Sequence, residues 1–351
     1  MTLSVCMIVK NEESNIEAAL SDFREFADEI IINDTGSTDK TEILTKRYQN
    51  DNVKYFKSEW KDDFSYSRNL SLAKASCDWI IWLDADDRIP EQSVKDLIKL
   101  KTAPIDRCFQ FRIKNTINGL PLGAQWIQLR MFPNRSDIRF KGAIHEQIVY
   151  DCRKVGLKEL SINTEIHHTG YDSEELTVNK TKRNLRLMNL SNYGQNPTEK
   201  MAIAASHYRL KDWGKGIDIY SKLFEEGKIN QLSHGIKFQL PALIGRGYYR
   251  RKQFETAIEW FNLADMNNIE AAYEKAQCYE CKQDFPNALK HYMRVLAMPE
   301  ILIVQAQEYH YCKMHSFHLA WRIMIGLKMY KESLKILDEM HNIYPEFKME
   351  P

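Results

Sequence analysis

No apolar run in the sequence approaches the roughly 20 residues that a membrane-crossing helix requires, so no membrane span is expected. The N-terminus, Met1-Thr2-Leu3-Ser4-Val5-Cys6-Met7-Ile8-Val9-Lys10, lacks the basic head and cleavage site of a secretory signal and reads instead as a first strand. Charge of one sign is not in excess either. The formal net charge is +1 over 351 residues, which gives no global pull towards nucleic acid or an anionic membrane. The seven cysteines are scattered. Cys278 and Cys281 form a C-x-x-C, but in a helical stretch with no second pair, so core thiols are expected there rather than zinc. Scattered thiols without a signal point to a reducing cytoplasm. Two nucleotide fingerprints are also missing. Neither G-x-G-x-x-G nor G-x-x-x-x-G-K-[ST] occurs, so the dinucleotide and P-loop readings lose their fingerprint, while nucleotide binding through strand-end acids and a metal remains open.

What is present is a chain with 44% hydrophobic residues, enough for two domains with cores of their own. Its most informative stretch runs from Cys77 to Asp87. Trp79 to Leu83 has the length and composition of a buried strand, and it delivers Asp84, Asp86 and Asp87 at its end. In extended chain Asp84 and Asp86 point the same way. Two converging carboxylates make a hard oxygen site for Mg²⁺ or Mn²⁺, an ion that usually shares its shell with substrate phosphates. The plainer alternative is a polar turn closing a strand.

The elements upstream alternate. Strands are expected at Leu3–Val9, Glu29–Asp34, Val53–Phe56 and Trp79–Leu83, and helices at Ile16–Phe26, Lys40–Gln49, Phe64–Ala75 and Glu91–Leu100. That alternation predicts an α/β fold with a parallel, doubly wound sheet. Two more strands are expected at Phe109–Ile117 and Gln125–Phe132, joined through Asn118-Gly119-Leu120-Pro121. In open α/β sheets ligands bind outside the carboxyl ends of the strands, which is where the acids fall.

Five segments, in order, resemble family 2 glycosyltransferases. They are Val5 to Glu13, the Asp34-Thr35-Gly36-Ser37-Thr38-Asp39-Lys40-Thr41 turn, the Phe64 to Ser71 helix with Arg68-Asn69, Trp82-Leu83-Asp84-Ala85-Asp86-Asp87, and Gly142-Ala143-Ile144-His145-Glu146. The last is similar to a segment of a subgroup that carries helical repeats. The resemblance covers about residues 3–170 and implies a GT-A fold: a Rossmann-like nucleotide-sugar half joined to an acceptor half.

It also implies roles. Asp34 would accept from the uracil or ribose of a UDP-sugar, with Asn11 and Glu12 lining the same pocket. Arg68 would reach the diphosphate as a fixed cation. Asp86 would ligate the metal directly and Asp84 would touch ribose or metal, with His168 of the His167-His168 pair as a further ligand. Glu146 is the first candidate for the base of an inverting transfer. His145 is the alternative base or an added ligand, and Asp87 a turn-shaping residue or reserve base. Trp126 and Arg130 could face sugar or acceptor, with core packing the stronger expectation for the Trp. Plainer alternatives stand beside each: a strand-closing turn for Asp34, a helix cap for Asn11 and Glu12, a surface ion pair for Arg68.

Composition changes after about Tyr171. Helix follows helix from Pro197, with small and aromatic residues at recurring offsets: Trp213, Phe254, Phe285 and Tyr330 are corresponding positions. These resemble tetratricopeptide (TPR) helix pairs of uneven period. The expected division is a GT-A domain over 1–175, a linker helix over 176–196 and an all-α TPR-like domain over 197–351. The repeats would hold a peptide, protein or glycan acceptor, or merely buttress or dimerise the chain as a homodimer. The leading expectation is a metal-dependent transfer of a sugar from a nucleotide-sugar, UDP-hexose first. A non-catalytic scaffold with a nucleotide-sugar-binding domain is the alternative.

Overall fold

The computed structural model describes residues 1–49, 52–117, 120–169, 174–191, 193–226, 234–299 and 306–344. The expected loop at Asn118-Gly119 and the residue Tyr171 lie outside them. The chain divides into two compact units, Met1–Ser191 and Asn192–Pro351.

Among the described residues the first unit holds an eight-stranded sheet. Strands β1 (Leu3–Val9), β2 (Glu29–Asp34) and β4 (Trp79–Trp82) are buried almost throughout, as strands covered on both faces must be. Between the strands run α1 (Ile16–Phe23), α2 (Thr41–Arg47), β3 (Val53–Lys57) and α3 (Phe64–Leu72). Beyond β4 come β5 (Asp87–Arg88), α4 (Glu91–Leu100), β6 (Arg107–Ile117), β7 (Leu120–Pro133), α5 (Val149–Lys154), β8 (Lys158–His168) and α6 (Glu174–Leu190). The spatial order is β3-β2-β1-β4-β7-β6-β8-β5. Alternation along β1 splits the core. Leu3, Val5, Met7 and Val9 pack with Phe23, Trp79 and Ile81 on one face, and Cys6 packs with Leu72, Ile80, Trp82 and Phe132 on the other.

The sheet is mixed, which corrects the expectation of a parallel one. β3, β2, β1 and β4 are parallel, but β7 runs antiparallel to β4 and to β6. The reason is local: residues 107–133 form a hairpin pair rather than a further crossover unit. β8 then returns parallel to β6, and its end pairs antiparallel with the short β5. The order reverses between β1 and β4, since β2 lies to one side of β1 and β4 to the other. This is a topological switch point, and the crevice at the carboxyl ends of those two strands is where such sheets bind ligands.

Helix α6 belongs to the first unit, where the sequence suggested a linker. Its basic residues reach back: Lys180 lies 3.6 Å from Asp86, Arg186 pairs with Asp62, and Arg183 lies over the Phe64 ring.

Among the described residues the second unit holds four helix pairs: α7 (Pro197–Arg209) with α8 (Trp213–Glu225), α9 (His234–Arg250) with α10 (Phe254–Leu263), α11 (Ile269–Cys281) with α12 (Phe285–Ala297), and α13 (Ala306–Gly326) with α14 (Tyr330–Ile343). Each pair turns in the same way. Lys211, Lys252, Gln283 and Lys328 all have φ near 60°. In each turn the next residue's N–H reaches back five positions: Asp212 to His207 O, Gln253 to Tyr248 O, Asp284 to Tyr279 O and Met329 to Met324 O. That is the Schellman closure of a helix. Trp213, Phe254, Phe285 and Tyr330 each open the second helix of a pair. Their uneven spacing arises partly because the first helices differ in length, 13 residues in α7 and α11 but 17 in α9 and 21 in α13. Among the described residues no helix is long and apolar enough to cross a membrane. Cys278 is buried with Ala257 and Phe261 while Cys281 is exposed, so the two thiols do not share one environment.

Tyr208 wedges between the first two pairs and donates to Leu243 O at 2.9 Å. Only glycine fits beside it at position 247, where a Cβ would stand 2.1 Å from its hydroxyl. Gly247→Ala is therefore expected to destabilise the chain by about 1–3 kcal/mol in denaturant unfolding, the usual cost of overpacking. Gly326→Ala, where a Cβ meets nothing within 4 Å, should cost no stability. Equal effects would show that Tyr208 yields freely.

Candidate active site

Trp82, the last residue of β4, organises the crevice. Its ring carries two guanidiniums, Arg130 from β7 at 3.7 Å and Arg68 from α3 at 4.3 Å from the centroid. Its Nε1 donates to Leu129 O, which fixes the ring. Both arginines turn their charge towards Asp84, the acid two residues further on. Arg68 Nη2 donates to Asp84 Oδ1 at 3.0 Å, and Arg130 Nη1 lies 3.7 Å from Asp84 Oδ2.

From there charges alternate along the crevice in both directions. Arg68 Nε donates to Glu146 Oε1 at 2.6 Å. Arg130 Nη1 donates to Asp87 Oδ2 at 3.2 Å, and Asp87 Oδ1 faces His168 Nδ1 at 3.0 Å. That nitrogen is 3.4 Å from Asp86 Oδ1, and Asp86 Oδ2 is 3.6 Å from Lys180. The sequence of groups is thus Glu146, Arg68, Asp84, Arg130, Asp87, His168, Asp86, Lys180. The β5–β8 pairing causes the middle of it, because its register sets Asp87 opposite His168.

The chain turns after Leu83 instead of running on extended. Asp84 and Asp86 are therefore brought together by a turn and not by one strand face, and they stay close enough for Asp84 to raise the Asp86 carboxyl. Among the described residues, the carboxylates that stand with His168 as a possible ion-binding group are Asp86 and Asp87, with one ligand atom each within 4.8 Å of one another. The two carboxylate oxygens suit Mn²⁺ or Mg²⁺, and the imidazole nitrogen favours a transition metal such as Mn²⁺ over Mg²⁺. Asp87 is the most constrained of the three. It is fully buried and also accepts from the Asp84 N–H, so it is not placed to act as a base on an incoming acceptor.

Titration reflects this packing. Burial alone would raise the Asp84 carboxyl, but Arg68 and Arg130 outweigh it and hold it down to about 2. Burial raises the Asp86 carboxyl above its ordinary range, with Asp84 and Asp87 adding to the rise against the pull of His168. Burial would depress His168, yet the Asp87 hydrogen bond and the Asp86 charge push it up to about 9. Glu12, at the end of β1, is pushed up to about 7, chiefly by burial, with Asp86 and Asp84 contributing against the Asn15 hydrogen bond.

Glu146 sits in a loop pinned at three points. Lys141 and Gln147 exchange backbone bonds at its neck, Phe64 N donates to Ala143 O, and Asn69 both donates to Phe140 O and accepts from Phe140 N. Within the loop Gly142 and His145 take positive φ, 101° and 52°. The result is that Glu146 turns in, its side chain 12% exposed, while His145 is exposed. His145 is not part of the ion-binding group. Asn69, beside Arg68, is a positioning residue that sequence reasoning passed over. Its place in the Arg68-Asn69 dipeptide was the available signal.

Other expected site residues fall as follows. Asp34 is fully buried. Its Oδ1 accepts from the Gly36 and Ser37 N–H groups and its Oδ2 from the Tyr55 hydroxyl, so it closes the turn after β2. Asn11, with φ 57°, accepts from Thr38 N and ties the end of β1 to that turn. Arg68 is enclosed by two carboxylates instead of standing open to a ligand, and its Nη1 is buried with no hydrogen-bond partner among the described residues. Arg130 is 3% exposed and spans Trp82 and the acids, so it works inside the wall. Trp126 is 36% exposed with its ring 6.5 Å from His168, which places it on the crevice and not in the core. Lys180 was missed because a lysine on a polar helix carries no sequence mark of where it folds back.

Residues 4–162 match the model of glycosyl transferase family 2. The first unit is a family 2 glycosyltransferase domain. The chain is 31% identical over 193 residues to a TPR repeat-containing protein of Synechococcus elongatus, covering 52% of this chain and 46% of the relative. It is 29% identical over 193 residues to the SPbeta prophage-derived glycosyltransferase SunS of Bacillus subtilis, covering 53% of this chain and 44% of the relative. The chain thus spans just under half the length of these curated relatives. Among solved structures, S. aureus TarS 1-349 superposes at a TM-score of 0.40 and 15% identity, over 84% of this chain and 91% of that one, too loosely to add to the argument. In fold, the family 2 domain is a GT-A-like mixed sheet, and TPR-like helix pairs follow it.

Proposed function

We propose that this chain is an inverting glycosyltransferase that moves a sugar from a nucleotide-sugar, a UDP-sugar first, to a nucleophile on a peptide, protein or glycan. The observation that carries the reading is the alternating charge chain at the switch-point crevice of a family 2 domain. A scaffold without chemistry has no use for so many buried charges, since burying them costs more than packing apolar groups of the same size.

Asp86, Asp87 and His168 would hold a Mn²⁺ or Mg²⁺ ion, with Arg130 fixing Asp87 from behind. Such an ion neutralises charge that builds on a departing diphosphate. Lys180 stands on the outer side of Asp86 and supplies a second cation for the same phosphates. Asp84 keeps the two guanidiniums in register. Asn11 and Asp34 shape the turn beside the nucleoside rather than contacting it through Asp34's enclosed carboxylate. Glu146, anchored through Oε1 by Arg68, would take the acceptor's proton on its other oxygen.

Thermal unfolding tests the donor. UDP with Mn²⁺ should raise the melting temperature, by the equivalent of about 2.7 kcal/mol at a hundred times the dissociation constant. EDTA should remove the shift. A protein indifferent to UDP but shifted by another nucleotide with metal would overturn the uridine assignment.

A further inference from the structure

The second unit holds a cavity of about 330 Å³ walled by α9, α11 and α13, the first helices of three successive pairs. Its charges cancel. Arg246 Nε donates to both oxygens of Glu274, at 2.8 and 2.9 Å, and its Nη2 pairs with Glu270. Arg250 lies 3.9 Å from Glu274. Two guanidiniums therefore face two carboxylates, and an ionic ligand would have to break a pair to gain one.

Hydrogen-bonding capacity is nevertheless left over. The Glu274 side chain is 8% exposed, and a single N–H serves both of its oxygens at short range. A carboxylate accepts about four hydrogen bonds, so this one has room for donors that bring no charge. Aromatic surface stands beside it. Tyr273 and Tyr311 meet edge to face at 6.2 Å, and Tyr311 is 54% exposed. Gln277 donates to the Tyr273 hydroxyl. The walls thus combine flat apolar faces, a buried acceptor and an amide, without net charge.

We propose that this pocket binds a neutral sugar ring, its hydroxyls donating to Glu274 and its C–H face resting on Tyr311. A peptide fits less well. It offers one backbone N–H per residue and needs a continuous groove, whereas this volume lies at the small end of compact-ligand pockets, roughly 300–1,000 Å³. Only the origin of the sugar, on the acceptor or the product of the transfer, rests on the function proposed above.

Saturation-transfer NMR on the full chain, without nucleotide or metal, tests the pocket, with glucose, N-acetylglucosamine and maltose as probes. At least one should bind saturably, and binding should persist with UDP and Mn²⁺ present and in Asp86→Ala. Tyr311→Ala should weaken it about tenfold, the loss of one aromatic contact, with the melting temperature unchanged because the ring is largely exposed. Gln277→Ala should weaken it as well. No saturable binding by any probe, or binding indifferent to Tyr311→Ala, would overturn the assignment. So would Tyr311-dependent capture of uncharged peptides with no sugar bound. None of these readings involves transfer, so failure here with the UDP shift intact counts against the pocket alone.

Discussion

Asp86→Ala is expected to abolish transfer while leaving the protein folded. Among the described residues the side chain makes no bond shorter than 3.4 Å, its contacts being the ion-pair distances to His168 and Lys180. The neighbouring backbone is held independently, since the Thr169 N–H and hydroxyl both bind the Asp86 carbonyl at 2.9 Å. Burial already raises the Asp86 carboxyl above its ordinary range, so its ionised form opposes folding at neutral pH. Removing it should leave the melting temperature level or higher. The catalytic loss should be large. Charge stabilisation of a leaving diphosphate is worth several kcal/mol, and each 1.36 kcal/mol is tenfold in rate. A fall of about 10³-fold or more is expected, together with loss of the Mn²⁺-dependent UDP shift. Turnover near that of the unsubstituted protein after EDTA treatment would show that neither this carboxylate nor an ion serves the reaction. A protein that unfolds would show instead that the acids around His168 are a folding core.

How much of this was visible in the chain can be judged residue by residue. The strands β1, β2 and β4 were legible because nearly every residue in them is buried, and a continuous apolar run says so. β8 was not, because only Thr164 and Ile166 along its length are buried and the remaining positions give no clean alternation. The acids at the end of β4 were legible as a candidate site, but not which of them stand beside His168. That was decided by a turn after Leu83 and by the β5–β8 register, both products of long-range pairing. Arg130 shows the same limit. In a strand sequence it looks like a surface cation, and only the antiparallel placement of β7 beside β4 buries it on Trp82. In the second unit the four aromatic positions were legible, while the shared turn was hidden. Lysine or glutamine occupies its left-handed position where glycine would have announced it.

Glu146→Gln is the sharper test of mechanism, because the function proposed above gives Glu146 two jobs. One oxygen holds Arg68, and the other is left to meet an acceptor. Glutamine keeps the first, since its amide oxygen can accept from Arg68 Nε in place of Oε1 at 2.6 Å. It loses the second, having no carboxylate to take a proton. The expected result is a fall in transfer of about 10²–10⁴-fold, the usual contribution of a general base, with the UDP shift and the melting temperature nearly unchanged. Arg68→Ala separates the structural role. It strips the counter-charge from Glu146, whose side chain is 12% exposed, and leaves Asp84 with Arg130 alone. Breaking a buried pair in this way costs about 3–5 kcal/mol, so that variant should lose stability as well as rate. If Glu146→Gln transferred at near the unsubstituted rate, the carboxylate would be only a clamp for Arg68. Asp87 could not replace it as the base, being enclosed by Arg130, His168 and the Asp84 N–H. The proton would then go to His145 at the exposed tip of the same loop, or the acceptor would be a thiolate that has none to give.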